Sequence, residues 1–148
     1  MRMSETPRQM NGACHCGTVR FEVTLADGIK TARRCNCSIC RMRGAVVVSA
    51  ATDGVRVVSG EESLGTYSFN TGTAKHHFCT HCGIYTHHQR RSTPGQFGVN
   101  LACLEGMSPF DLEEVPVLDG VRHPSDNGGV SRLAGVLHFT PADEAGSP

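Results

Sequence analysis

Three cysteines lie within six residues in the stretch ARRCNCSICR, residues 32–41. This set, called the three-cysteine group below, consists of Cys35, Cys37 and Cys40. Residues two apart in an extended segment point to the same side, and a turn after Cys37 would bring Cys40 to the same point. Three protein ligands with an open fourth position are the pattern of a catalytic zinc site. The spacing therefore predicts a metal centre that leaves room for another ligand.

A second set of cysteines has the paired spacing of a closed metal site. This four-cysteine group consists of Cys14, Cys16, Cys79 and Cys82. Its Cys-x-Cys and Cys-x-x-Cys pairs can present four thiolates to one ion, which is the tetrahedral set of structural zinc. Iron or an iron–sulfur cluster would also accept four thiolates, and reduced thiols without a metal are a further alternative. Gly17 and Gly83 follow the two pairs, and we expect positive φ there because the chain must turn tightly around a sulfur.

The eighth cysteine, Cys103, is the first candidate for a fourth ligand of the three-cysteine group. It continues the apolar strand face of Phe97, Val99 and Leu101, which favours a buried core thiol. Water or a substrate thiol is then the preferred fourth ligand.

Histidines and arginines surround the cysteines. Five histidines lie within 13 residues around the second cysteine pair, and His77, on the predicted strand face of Cys79, is our candidate for an acid–base residue. Arg34 and Arg41 flank the three-cysteine group and are candidates to bind substrate carboxylates. They could equally offset thiolate charge or lie in solvent.

Composition and charge indicate where the protein is located and which partners it does not bind. The 148 residues hold eight cysteines, and the first residues contain no apolar run of a signal peptide, so we expect a cytoplasmic protein with reduced thiols. A disulfide framework is the alternative for an exported chain. Lys and Arg number 14 and Asp and Glu also number 14, which argues against a broad nucleic-acid interface. No segment has the ~20 apolar residues of a membrane span.

The hydrophobic pattern predicts a mainly β fold of short antiparallel strands. We expect a turn at TDG, residues 52–54, and a short helix at 107–114. The predicted strands are TVRFEV at 18–23, a segment from Ile29 into the three-cysteine group, the runs at 44–51 and 55–60, a hairpin over 64–79 closed at 70–72, IYTHH at 84–88 and QFGVNLAC at 96–103. Residues 131–139 could form a last strand or a short helix.

The domain boundaries follow from the same pattern. We expect a disordered leader at 1–10, one zinc-binding β domain at 11–140 and a frayed tail at 141–148.

Three segments together carry a family resemblance. GACHCGTVRFEV, RRCNCSICR and HHFCTHCGIYTHH resemble, in this order and spacing, the glutathione-dependent formaldehyde-activating enzymes, a family that also includes centromere protein V. The resemblance covers about residues 10–105. It implies a β-tent fold with two Zn²⁺ per chain, the four-cysteine group being structural and the three-cysteine group catalytic. It also implies condensation of glutathione with formaldehyde to S-(hydroxymethyl)glutathione, a carbon–sulfur lyase reaction in reverse.

Two other functions remain open from the sequence. One is a non-catalytic, zinc-stapled binding module, although the chain lacks the basic extension expected of a module that binds DNA or microtubules. The other is a redox sensor that uses the three-cysteine group as a labile thiol set. The expected partners are a small-molecule thiol and an aldehyde, with neither nucleic acid nor membrane. A homodimer is reasonable, but no residue pattern argues for it.

Overall fold

The structure, a computed structural model, describes residues 8–91, 95–121 and 132–143, and these contain ten strands, one short α-helix and three 3₁₀ turns. The elements are β1 (Gln9–Ala13), β2 (Arg20–Leu25), β3 (Arg34–Cys35), α1 (Ser38–Arg43), β4 (Val47–Ser59), β5 (Leu64–Tyr67), β6 (Lys75–Cys79), β7 (Tyr85–Gln89), β8 (Phe97–Asn100), β9 (Glu114–Leu118) and β10 (Leu133–His138).

The strands form two sheets. The larger has seven strands in the order β1-β2-β4-β8-β7-β6-β5, and the smaller has the order β10-β9-β3. Neighbouring strands are antiparallel except for β3 and β9, which pair in parallel. The prediction of a mainly β fold is confirmed.

The core lies against β2, β4 and β8. The alternating side chains of β2 place Phe21, Val23 and Leu25 in the interior, where at most 1% of each is exposed. Val48 of β4 and Val99 of β8 join the same cluster. Each such side chain stabilises the fold by about 1.5–3 kcal/mol when it leaves water, so the alternation in TVRFEV fixes which face of β2 is buried.

The predicted turn at residues 52–54 is wrong. β4 runs through this segment as one strand of 13 residues. Strand β2 pairs with β4 on both sides of this segment, Leu25 with Ala50 and Val23 with Val55. The residues of β4 between Ala50 and Val55 therefore form a bulge. Asp53 takes a φ of 55° there. An aspartate tolerates this left-handed conformation, and a bulge bends a strand without ending it.

The hairpin and the last strand are confirmed. β5 and β6 pair from Leu64 and Cys79 to Tyr67 and His76, and the connecting turn contains Asn70 at a φ of 56°. Residues 133–138 form β10 rather than a helix. The segment from Ile29 contains mostly turns and yields only the two-residue β3.

The predicted chain ends need one correction. Gln9 and Met10 belong to β1, so the strand begins inside the segment that we expected to be a disordered leader. Residues 1–7 lie outside the described residues, as do 144–148 of the predicted tail.

Helical structure is sparse. The helix expected at 107–114 is a single 3₁₀ turn, Pro109–Asp111, with Ser108 and Asp111 forming a capping box. Helix α1 was not predicted, because its six residues are too few to show helical periodicity. Within the described ranges, no helix is long and apolar enough to cross a bilayer.

We expect Phe21→Ala to lower the free energy of unfolding by about 3–5 kcal/mol, because the substitution leaves a cavity in the core. The matched control is Phe110→Ala, since Phe110 is 67% exposed and its ring packs against Phe139. The control should cost about 1 kcal/mol. Chemical denaturation of both variants measures the difference, and equal losses would contradict this description of the core.

Candidate metal centres and the adjoining cleft

Each half of the four-cysteine group is a tight turn closed by the amide of a glycine. The amide of Gly17 donates to the carbonyl of Cys14 at 3.1 Å, and the amide of Gly83 donates to the carbonyl of Cys79 at 2.8 Å. Both glycines have positive φ, 80° and 77°, as the sequence predicts. The two turns therefore share a left-handed glycine after the second cysteine, but the second turn is one residue longer than the first.

The sulfur positions of the four-cysteine group suit one metal ion. All four Sγ atoms lie within 4.8 Å of one another, with 3.6 Å between Cys14 and Cys16 and 3.8 Å between Cys16 and Cys79. Metal–sulfur bonds of about 2.3 Å in a tetrahedron give a sulfur–sulfur separation of about 3.8 Å. The amides of Val19 and His81 donate to Cys14 and Cys79 Sγ, each at 3.3 Å, which further orients these sulfurs.

The three-cysteine group forms where β3 leads into α1. Cys35 ends β3, Cys37 is the N-cap of α1, and Cys40 lies in its first turn. Their Sγ atoms also lie within 4.8 Å of one another, and no fourth histidine, cysteine or acidic ligand of the described residues joins them. Hydrogen bonds from the other two thiols lower the pKa of Cys37, whereas those same contacts raise the pKa of Cys40. A metal ion bound there would hold all three sulfurs as thiolates.

Cys103 belongs to the core. Its side chain is buried, its Sγ donates to the carbonyl of Tyr85 at 3.5 Å, and it lies in neither sulfur group. Burial raises the pKa of its thiol to about 12. The interpretation of Cys103 as a core thiol is confirmed.

A cleft of about 500 Å³ adjoins the three-cysteine group. It is bounded by the group itself, by the tip of the β5–β6 hairpin and by residues 119–121. Asp119 is the one acidic side chain among its described lining residues, against five arginines. The arginines are Arg33, Arg34, Arg41, Arg90 and Arg91.

The sequence predicted part of this cleft. Arg34 and Arg41, the two arginines singled out from the sequence, line it, and Arg90 and Arg91 line it as well. These two are 49 or more residues from Arg41 in sequence, and only the pairing of β7 with its neighbours brings them to the cysteines. A second cluster of arginines after a histidine pair is the only local signal that could have suggested them.

The cleft is strongly cationic. Arg33 is half-buried, and its guanidinium donates at 3.0 Å to the carbonyl of Thr31 and at 3.0 Å to Ser49 Oγ. Burial, followed by repulsion from Arg90, lowers the pKa of Arg33 to about 10. Because these cations lie close enough to repel each other, a carboxylate in the cleft would find favourable charge and donor geometry.

Residues 119–121 form one wall of the cleft directly against the sulfurs. The amides of Gly120 and Val121 donate to Asn36 Oδ1 at 2.7 Å and 3.2 Å. A Cβ atom at Gly120 would overlap Cys35 Sγ and lie 2.8 Å from Cys37 Cβ. Only glycine therefore fits this close approach, and nothing in the local sequence indicates it.

The two adjacent histidines of β6 point to different surroundings. His76 is buried and lines the arginine-rich cleft, as does His88 of β7. His77, our sequence-based candidate, does not line this cleft. It lines a neighbouring cavity of about 550 Å³, which His76 also reaches, and its Nδ1 lies 3.0 Å from Thr66 Oγ1. The alternation of side chains along the predicted strand places His76 and His77 on opposite faces. It does not show which face lies toward the three-cysteine group.

We expect Cys79→Ser to give unfolded or insoluble protein, because metal-binding energy at the four-cysteine group is part of the folding energy. Cys37→Ser should fold, with metal content falling from about two ions per chain to about one. Cys103→Ser is the matched control and should keep both ions. Metal analysis and thermal denaturation measure these outcomes. A Cys79→Ser protein with normal melting and unchanged metal would contradict the assignment.

Gly120→Ala should remove the ion of the three-cysteine group without touching a ligand, because the added Cβ displaces Cys35 Sγ. Gly135→Ala is the control, since a Cβ there meets no atom within 4 Å. Metal analysis of the two folded proteins should give about one and about two ions per chain. Full metal content in Gly120→Ala would show that this wall does not constrain the sulfurs.

One curated protein is similar to the chain in sequence, and one solved structure is similar in fold and sequence. A curated protein of Halomonas elongata, named "Putative glutathione-dependent formaldehyde-activating enzyme", is 35% identical over 81 residues, which are 49% of this chain and 51% of the relative. The chain thus spans about half the length of that relative. The crystal structure of a Rhodobacter sphaeroides protein is 58% identical, with a TM-score of 0.72, over 73% of this chain and 99% of the other.

The family comparison covers a larger part of the sequence. The family described as glutathione-dependent formaldehyde-activating enzyme matches residues 9–114, which include both cysteine groups. This match extends over most of the chain and agrees with the resemblance that the cysteine-containing segments carry. The chain belongs to the family of glutathione-dependent formaldehyde-activating enzymes.

Proposed function

We propose that the chain is a zinc-dependent enzyme of the carbon–sulfur lyase class that joins a thiol to a small aldehyde, with glutathione and formaldehyde as substrates. The observation that carries this proposal is the position of the three-cysteine group in the wall of an arginine-lined cleft. A metal centre with three protein ligands beside a cationic cavity combines an open coordination position with a place for an anionic substrate.

The donor chemistry supports zinc in both groups. Thiolate ligands select zinc or iron–sulfur chemistry over magnesium or calcium, and the sulfur separations in the four-cysteine group match a tetrahedral ion with bonds of about 2.3 Å. The four-cysteine group would hold a structural ion, and the three-cysteine group a catalytic one. When bound at the three-cysteine group, zinc supplies a Lewis acid that promotes ionisation of a thiol or water.

The arginines would orient the thiol substrate. Glutathione carries two carboxylates, and guanidinium groups bind carboxylates through paired, charge-assisted hydrogen bonds. Arg34 and Arg41 lie on either side of the three-cysteine group in sequence and line the same cleft. A volume of about 500 Å³ falls within the range of small-molecule sites, roughly 300–1,000 Å³. Binding there would bring the substrate thiol toward the cysteines.

The wild-type protein should accelerate formation of S-(hydroxymethyl)glutathione above the spontaneous rate, as followed by NMR exchange. Arg34→Gln and Arg41→Gln should each raise KM for glutathione about 10-fold or more, because each removes a charge-assisted hydrogen bond. With 2-mercaptoethanol, which has no carboxylate, the same variants should resemble wild type. Arg56→Gln is the control, since Arg56 is exposed and pairs with Glu22 outside the cleft. Equal losses with both thiols would contradict carboxylate binding.

A further inference from the structure

Two histidine rings stack in the wall of the cleft that holds the three-cysteine group. His76 of β6 and His88 of β7 are cross-strand partners with ring centroids 5.2 Å apart and planes at 21°. Phe69 also stacks against His76, with ring centroids 5.8 Å apart. Both imidazoles line the cleft, and contacts with two rings restrict the orientation of His76 there.

The contact with Arg43 determines where the proton of His76 lies. Arg43 Nη1 is 3.1 Å from His76 Nδ1. A guanidinium can only donate hydrogen bonds, so Nδ1 must be the unprotonated acceptor and the ring proton lies on Nε2. Burial, followed by the charge of Arg43, lowers the pKa of His76 to about 4, which keeps the ring neutral near pH 7.

Arg43 itself is a positioning residue. Its guanidinium carbon lies 3.6 Å from the centroid of the Tyr85 ring, and its Nη2 lies 3.7 Å from Cys40 Sγ. The same side chain thus touches the three-cysteine group and sets the tautomer of His76. It connects the sulfur cluster to the imidazole pair.

Tyr85 is the corresponding partner of His88. The Nδ1 of His88 lies 2.6 Å from the hydroxyl of Tyr85. Burial raises the pKa of Tyr85, so the phenol keeps a proton that it can donate to Nδ1. Gly98 admits the ring, because a Cβ there would lie 2.5 Å from His88 Cε1. With the phenol as donor, the ring proton of His88 is also on Nε2.

We propose that His76 and His88 are catalytic residues that present two neutral Nε2–H donors to the aldehyde oxygen. Neither Nε2 has a hydrogen-bond partner among the described residues. Arg43 Nε is the one side-chain nitrogen or oxygen of these residues that is both fully buried and without a partner, so neither histidine Nε2 is fully buried. Each Nε2 therefore keeps some contact with solvent, and both imidazoles line the cleft. Neutral imidazoles can act as electrophiles toward a carbonyl oxygen. The inference rests on the proposed function, whose reaction creates negative charge on that oxygen.

The chemical step balances without a proton leaving either histidine. The substrate sulfur, after losing its proton to solvent, forms a bond to the carbonyl carbon. The carbon–oxygen π bond breaks, and its electron pair moves to the oxygen. Two fixed N–H donors stabilise this charge more in the transition state than in the aldehyde, which accelerates the step. A solvent proton then neutralises the oxygen.

The kinetic test compares His76→Leu, His76→Gln and the control His138→Gln, whose histidine lies on β10 and pairs with Glu114. His76→Leu should lower kcat about 10²- to 10³-fold, with KM for glutathione and metal content unchanged. His76→Gln, which restores an N–H donor, should recover part of kcat. Wild-type kcat in His76→Leu, or a loss confined to His77→Gln, would overturn the proposal. A wild-type protein without acceleration would instead refute the proposed function and, with it, this role.

A second measurement examines the donors independently of activity. Long-range ¹H–¹⁵N correlation spectra of the metal-loaded wild-type protein report the tautomer of each histidine. His76 and His88 should both be neutral at pH 7 with the proton on Nε2. An Nδ1–H tautomer or a charged ring at His76 would overturn the proposal even if His76→Leu failed to fold.

Discussion

The meeting of two distant chain segments at one sulfur cluster is the constraint on which the rest of the structure depends. In the larger sheet β1 is the first strand and β6 the sixth. Five strand spacings in a flat sheet would separate them by roughly 24 Å, whereas the sulfurs just after β1 and at the end of β6 lie within 4.8 Å. The sheet must therefore curve until its two sides meet, and the four-cysteine group holds that closure.

Strand β6 transmits this constraint to the cleft. It ends in Cys79 of the four-cysteine group, and three residues earlier it carries His76, which contacts Arg43 of α1. Arg43 in turn contacts Cys40 of the three-cysteine group. One short strand and one arginine therefore connect the closed sulfur cluster to the open one. Strand β6 therefore contributes both to the closure of the sheet and to the position of His76 in the cleft.

Sequence reasoning succeeded where the signal was local. Cysteine spacing, the glycines that follow each pair and the alternation in β2 depend on neighbouring residues, and the structure agrees with each. The turn expected at residues 52–54 failed because Asp53 can adopt a left-handed conformation inside a bulge, which looks in sequence like the end of a strand. Long-range packing brings Arg90, Arg91 and Gly120 to the cleft. The spacing of residues along the sequence does not encode that packing.

The close approach of Gly120 to Cys35 shows that the wall of the cleft extends beyond the segment that matches the family. The family match ends at residue 114, but the wall of the cleft continues through residues 119–121. Strand β9 carries the chain across this border and delivers Gly120 to the sulfurs. Relatives that keep all seven clustered cysteines can therefore differ in the shape of the cleft through a segment outside the shared part. The shape of the cleft can thus change while both cysteine groups stay as they are.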